Sequence, residues 1–382
     1  MLAICNANLV LENGILWDGV LLTEDGRITA FGKASEVTIP NDVPVIDAQG
    51  AYVGPGFVDI HVHGGGGHRF ITEPLEAAEF FLQHGTTTIL STPSYSSPFP
   101  DFLEAIKLGK KAMQAGGAGK AIAGFYMEGP YMNPDYGAGA FRNPWRHPVN
   151  PEEYEALVDE AGEYAKVWAI APEREGLIPF LAYAKKVNPD VRFSVGHSHA
   201  TPEQIRALGK YRPTIQTHCT NATHRINGGG GIRGTGPDEY CLKMPDVYTE
   251  MISDSCCTHV KAEMQQLILH CKGLDYVVLI TDSTVYNFPS PPQYAHVDDI
   301  NFDERGGVSG SKLTMDKACR NIMTHTNCGI AQAFLMASRN PARAIGLDHE
   351  IGTIEVGKKA NLVIVDDRFT VKHVLLEGEL YK

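Results

Sequence analysis

The sequence predicts an α/β fold: a closed (β/α)8 barrel with a small β-sandwich domain built from both termini. Three observations lead there. Apolar, β-branched runs alternate with helical patterns through the middle of the chain, which demands a parallel sheet with crossover helices. Five of these runs stop abruptly at His, Glu or Asp, as strands do when their C-terminal ends share one mouth. The two ends of the chain instead carry short alternating strands that cannot each make a core.

Residues 1–53 show turn signals at Glu12-Asn13-Gly14, Glu24-Asp25-Gly26 and Ala48-Gln49-Gly50, the pattern of a small antiparallel sheet. Residues 54–350 form the barrel. The run at 56–60 ends in His61-Val62-His63, followed by four glycines. Strand-like runs follow at 87–91, at 121–127 before Glu128, at 167–171, and at 191–195 before Gly196-His197. The last three are 213–217 before His218, 247–253, and 276–281 before Asp282. Helical patterns at 74–84, 151–164 and 261–271 lie between them. About eight strand–helix units over about 250 residues match a closed barrel. Residues 351–382 return to turn-rich strands at Glu355-Val356-Gly357 and Leu376-Glu377-Gly378, and are expected to pair with 1–53.

Alternate residues of a strand share a face, so His61 and His63 point the same way at its end. Two neutral imidazoles on one face make a metal-binding pair. Taken alone, Glu128 reads as a solvated loop acid and Asp282 as a helix cap. In a barrel, however, His61, His63, Glu128, His197, His218 and Asp282 meet in one cavity, and that convergence is the mark of a metal site.

A chain of 382 residues, 43% hydrophobic, has ample material for a large core. Its formal net charge of −12 and the lack of a basic run argue against a nucleic-acid partner. No window reaches the roughly 18 apolar residues of a membrane span, and no signal segment stands at the start, so a cytoplasmic protein with no membrane partner is expected. The eight cysteines include no Cys-x-x-Cys, and adjacent Cys256-Cys257 suits no ordinary disulfide, so they read as reduced thiols. Cys219, beside His218, is a candidate to line the site. The run Gly228-Gly229-Gly230-Gly231 reads as a flap or a surface of backbone donors.

With these residues placed, the chain resembles the amidohydrolase superfamily and, within it, the N-acetylglucosamine-6-phosphate deacetylases. The resemblance runs nearly end to end. It rests on Pro55-Gly56-Phe57-Val58-Asp59-Ile60-His61-Val62-His63-Gly64, Met127-Glu128-Gly129-Pro130, Gly196-His197-Ser198 and Thr217-His218 with Asn221-Ala222. It continues through Ile252-Ser253-Asp254 with His259, Thr281-Asp282-Ser283, Gly310-Ser311-Lys312-Leu313-Thr314-Met315-Asp316 and Asn340-Pro341-Ala342-Arg343. It implies that Glu128, His197 and His218 hold one divalent metal, that His61 and His63 with Glu128 hold a second, and that Asp282 is the catalytic acid/base. It also places Asn221, Ala222, His259 and Ala140 at the sugar, and a homodimer in which Arg233 reaches the substrate phosphate. Zinc is the expected metal, with iron, cobalt or manganese as alternatives.

Three positions depart from the pattern. Phe141 stands where the family has a histidine that polarises the amide carbonyl, so that role falls to the metal, His147 or another group. The stretch Thr223-His224-Arg225-Ile226-Asn227 and the glycines rewrite the segment before Arg233, and His199 replaces the usual Asn or Asp. The expected reaction is hydrolysis of the N-acetyl group of an amino-sugar phosphate. A metal brings the pKa of its water from near 16 to about 7, and Asp282 takes the proton and returns it to the leaving amine. Three other readings are a related deacylase of another N-acyl amino sugar, one acting on an N-acyl amino acid or cyclic amide, and a structural paralogue with eroded ligands.

Overall fold

The computed structural model describes residues 1–223, 231, 234–286 and 288–382. Eight parallel strands form its centre: β1 Phe57–Val62, β2 Thr86–Ser91, β3 Ile122–Met127, β4 Ala165–Ile170, β5 Arg192–Val195, β6 Ile215–Gln216, β7 Tyr248–Ile252 and β8 Val277–Ile280. Runs such as Thr-Thr-Thr-Ile-Leu-Ser in β2 and Val-Val-Leu-Ile in β8 are fully buried. β-Branched side chains with few rotamers fit that two-sided burial. The expected strand at 213–217 narrows to Ile215–Gln216. Pro213 has no N–H to donate there. Thr214 N and Thr217 N nevertheless continue the pairing, donating to Phe193 O and Val195 O at 2.9 Å each.

Each strand pairs with the next in chain order, and the seam between β1 and β8 is closed by other bonds. Asp282 N donates to His61 O at 2.9 Å, and His63 N to Ser283 O at 2.8 Å. Beneath them the Thr281 hydroxyl donates to Asp59 Oδ2 at 2.5 Å. Asp59 is fully buried, and burial, offset in part by these hydrogen bonds, raises its carboxyl to about 7. The residues that carry His61 and Asp282 are therefore tied to each other.

Val58, Ile60, Leu90, Val167, Ala169, Ile215, Val278 and Ile280 fill the barrel. The alternate residues Phe57, Ile89, Val277 and Leu279 face outward into the helical layer with Phe81 and Phe334. This is the period of two expected of strands sandwiched between a packed interior and a ring of helices. The helices include Pro74–Gln83, Pro151–Ala161 and Ala262–Lys272, the three expected from the sequence.

The N-terminal strands Leu2–Leu11, Gly14–Glu24, Arg27–Lys33, Val45–Asp47 and Tyr52–Pro55 join the C-terminal strands Leu362–Val365, Val371–Leu376 and Glu379–Leu380 in one curled sheet. The joint is the antiparallel pairing of Tyr52–Pro55 with Leu362–Val365. Ile4, Leu9, Leu21, Val53, Leu362 and Leu375 pack beneath it. Tyr52–Pro55 runs on into β1 through Gly56, and Gly54 lies so close to the Phe334 ring that a Cβ would sit 2.3 Å from it. After β8, strands β9 Ile300–Phe302 and β10 Val308–Ser311 form an antiparallel hairpin. Among the described residues no helix is long and apolar enough to cross a membrane.

Candidate active site

Glu128, one residue past β3, is the hub. Its Oε1 lies 3.1 Å from His197 Nε2 and 3.2 Å from His218 Nε2. Its Oε2 lies 3.2 Å from His63 Nε2, and its Oε1 is 3.6 Å from His61 Nε2. Two trios result, His61/His63/Glu128 and Glu128/His197/His218, each with its ligand atoms within 4.8 Å of one another.

Three of the four rings are fixed from behind. His63 Nδ1 donates to Thr92 O at 2.9 Å and His197 Nδ1 to Tyr136 O at 3.0 Å. His61 Nδ1 donates to Glu250 Oε2 at 3.0 Å. A carbonyl or carboxylate only accepts, so each ring is held with its Nε2 turned toward Glu128. The backbone helps to aim them. His197, His218 and Asp282 take φ of +45°, +26° and +47°, where a side chain is crowded at a cost of roughly 1–3 kcal/mol each. The chain there turns off the strand at once and sends the side chain into the mouth. Gly137 completes the fit, since a Cβ on it would meet the His197 ring at 2.2 Å.

Electrostatics mark the place as one built for positive charge. Burial disfavours the Glu128 carboxylate, yet hydrogen bonding to His197 and His218, with His61 and His63 close beside it, holds its pKa well below the usual range. Burial disfavours a charged His63, yet hydrogen bonds to Asp282 and Glu128 lift its pKa to about 9. His61 Nε2 is buried with no hydrogen-bond partner. An orphaned imidazole nitrogen facing carboxylates, in sets of imidazole and carboxylate donors, fits a divalent ion.

Asp282 stands beside the His61/His63/Glu128 trio, with Oδ1 3.3 Å from His63 Nε2 and 3.8 Å from His61 Nε2. It opens to a cavity of about 370 Å3 whose floor also includes His63, Glu128, His197 and His218. Asn221, Ala222 and His259 line one wall. His259 Nδ1 is 3.3 Å from Asp254 Oδ2, and its Nε2 is buried without a hydrogen-bond partner. Burial would raise the Asp254 pKa, but hydrogen bonds from His259 and from the N–H groups of Thr258 and His259 lower it to about 2. Asn221 donates to His259 O at 3.0 Å and leaves its own Oδ1 buried and unpartnered.

Other expected residues lie elsewhere. Ala140 is outside the cavity lining, which takes Gly137 and Ala138 from that loop. Its carbonyl accepts from Arg146 instead. Phe141 turns away to the Arg305 guanidinium, 3.6 Å from its ring centroid, while Arg142 pairs with Glu304 at 3.2 Å. The loop after β3 is thereby tied to the turn between β9 and β10. His147 points to Glu153 at 3.7 Å, and His199 packs on Tyr136, both outside the lining. Cys219 is buried and does not line the cavity. Arg233, Arg225 and Gly228-Gly229-Gly230 lie outside the described residues.

The structure adds residues that the strand-end pattern passes over. Glu250 is fully buried inside β7, and an acid within an apolar strand is the signal that would have found it. Arg69 also lines the cavity, donating through Nη2 to Val285 O at 2.8 Å with its guanidinium 5.4 Å from the Tyr286 ring centroid. Tyr95 packs on the His197 ring, centroids 4.7 Å apart, and donates to Ala138 O at 2.5 Å.

The model of the amidohydrolase family matches residues 52–381. The chain belongs to the amidohydrolase family. Members of the family depend on metal, and this chain carries His/Glu groups able to bind one. It is 29% identical over 385 residues to the N-acetylgalactosamine-6-phosphate deacetylase of Escherichia coli O157:H7, with 97% of each chain covered. It is 29% identical over 375 residues to the N-acetylglucosamine-6-phosphate deacetylase of Vibrio furnissii, covering 94% of this chain and 90% of that one. Among solved structures, this amidohydrolase superposes on the N-acetylglucosamine-6-phosphate deacetylase of Pasteurella multocida with a TM-score of 0.86 and 26% identity, over 99% of both chains. It also matches, at a TM-score of 0.82 and 25% identity, a Mycobacterium smegmatis deacetylase mutant in complex with N-acetyl-D-glucosamine-6-phosphate, over 100% of this chain and 99% of that one.

Proposed function

We propose that this amidohydrolase removes the N-acetyl group of N-acetylglucosamine-6-phosphate, giving glucosamine-6-phosphate and acetate. The observation that carries the reading is the open Asp282 carboxylate beside the His61/His63/Glu128 trio, which shares Glu128 with a second trio. A divalent ion, zinc being the first candidate, would supply a nucleophile at neutral pH and polarise the amide carbonyl. Glu128, His197 and His218 would hold the tighter ion, and His61 and His63 with Glu128 the second. Asp282 accepts the nucleophile's proton at a carboxylate oxygen and delivers it to the amine nitrogen as the C–N bond breaks. Asn221, Ala222 and His259 orient the sugar, the buried His259 Nε2 offering a directed hydrogen bond. Arg233 serves the phosphate from a neighbouring subunit of a cytoplasmic homodimer. Residues 1–53 and 351–382 make up the sheet domain, and 54–350 the barrel.

The galactosamine epimer is the second reading, because the E. coli relative carries that name at similar identity. Acetate release from N-acetylglucosamine and N-acetylgalactosamine, each with and without the 6-phosphate, decides between them. Turnover of the phosphorylated gluco sugar is expected to be at least about tenfold above that of the other three. Equal turnover of free and phosphorylated sugars rejects it.

A further inference from the structure

We infer that Glu250 is a positioning residue that couples the two trios and on which the His61/His63/Glu128 ion depends most, a step that rests on the metal reading above. Glu250 lies in the middle of β7 with no exposed surface. A buried carboxylate is costly unless it is hydrogen-bonded or its charge is met. One atom, Oε2, accepts from His61 Nδ1 at 3.0 Å and also from the backbone N–H of His218 at 3.0 Å. The Glu250 carbonyl accepts from Cys219 N at 2.9 Å. A single residue thus reaches one trio through a ring and the other through its main chain.

The four histidines are not held alike. His63 and His197 give their Nδ1 protons to neutral carbonyls, and His218 Nδ1 makes no hydrogen bond. His61 alone has a carboxylate behind it, and its ring is stacked on Tyr126 with centroids 4.5 Å apart and planes at 23°. Stacking fixes the ring plane, and Glu250 fixes its rotation and tautomer. An anionic acceptor also makes the far nitrogen a stronger donor to a metal. The negative charge sealed in β7 is met when a cation occupies the trio that His61 faces. A role confined to packing would instead affect folding and leave both ions held as before.

The test uses the full-length protein loaded with Zn2+ and dialysed against graded concentrations of a chelator, with zinc per chain read by elemental analysis. Glu250→Gln keeps the shape and an acceptor oxygen but removes the charge. Glu250→Asp keeps the charge but draws it back by one methylene, and it serves if the first variant does not fold. Wild type is expected to hold two ions. Either variant should release one of them at about tenfold lower chelator, with the other within about twofold of wild type. With Co2+ in place of Zn2+, the visible absorption of the weakened ion should shift. Release of both ions at the wild-type chelator concentration overturns the inference. So does a fall in thermal midpoint of the metal-stripped protein with both ions still held as before. A wild type holding one ion overturns it as well, whereas one holding none rejects the metal centre itself.

Discussion

At the floor of the cavity the side chains lie on barrel strands or within two residues of their ends, and three of the four histidine rings are braced from behind, His61 by Glu250, His63 by Thr92 O and His197 by Tyr136 O. On the wall of Arg69 and the loop after β3 the supports are sparser and come from loops. Arg69 is exposed and held by Val285 O, while the loop of Ala140 and Phe141 meets the hairpin turn through Arg305 and Glu304. Strand ends fix atoms well enough to hold an ion and move a proton, whereas loop walls set which molecule is admitted. The reaction type therefore follows from the floor, and substrate choice from the walls.

Breaking the floor should have the largest effect. His218→Ala removes a ligand of the buried trio and should cost the tight ion and lower turnover by more than about 10³-fold, read by elemental analysis and acetate release. Paired loss of His61 and His63 should remove the second ion first. Full metal content and activity in His218→Ala would falsify the assignment of ligands.

The brace behind His259 gives an effect that depends on pH. The Asp254 pKa of about 2 in the folded chain lies below its ordinary value of 3.8, so its contribution is complete above about pH 4 and fades as pH falls through 2. The size is about 2 kcal/mol. Asp254→Asn should be destabilised by that order in denaturant titrations at pH 7, and the gap from wild type should close toward pH 2. A gap that stays constant across that range would mean the carboxylate charge contributes nothing.

The walls should give smaller and more selective effects. Arg69 is the one lysine or arginine among the described residues of the lining. Arg69→Ala should raise KM for the 6-phosphorylated sugar by about tenfold and leave the free sugar nearly unchanged, because the lost contact is with an anion. Equal shifts for both sugars would show that Arg69 shapes the wall without reading charge.

The sequence made the floor legible because an apolar run that ends in His, Glu or Asp records strand, direction and chemistry together, as at Glu128 and Asp282. Glu250 escaped because an acid at mid-strand reads as an outward-facing residue until the closed barrel shows that no outside is available to it. Arg69 and the hairpin of β9 and β10 escaped because no local period says which loops fold back over a mouth. Ala140 lies outside the lining for a related reason, since one glycine-rich turn, with Gly137 and Gly139 at φ of +95° and +67°, decides which of its neighbours faces inward.

Asp282→Asn addresses the hydrolytic site itself, because the two trios share Glu128 and only a proton-carrying group beside them turns a metal site into a hydrolase. Metal content and kcat for acetate release should be measured on the same sample. Zinc content is expected within about a fifth of wild type and kcat lowered by about 10²-fold or more, with loss of the acidic limb of the pH profile. Near-normal kcat at full metal content would contradict it.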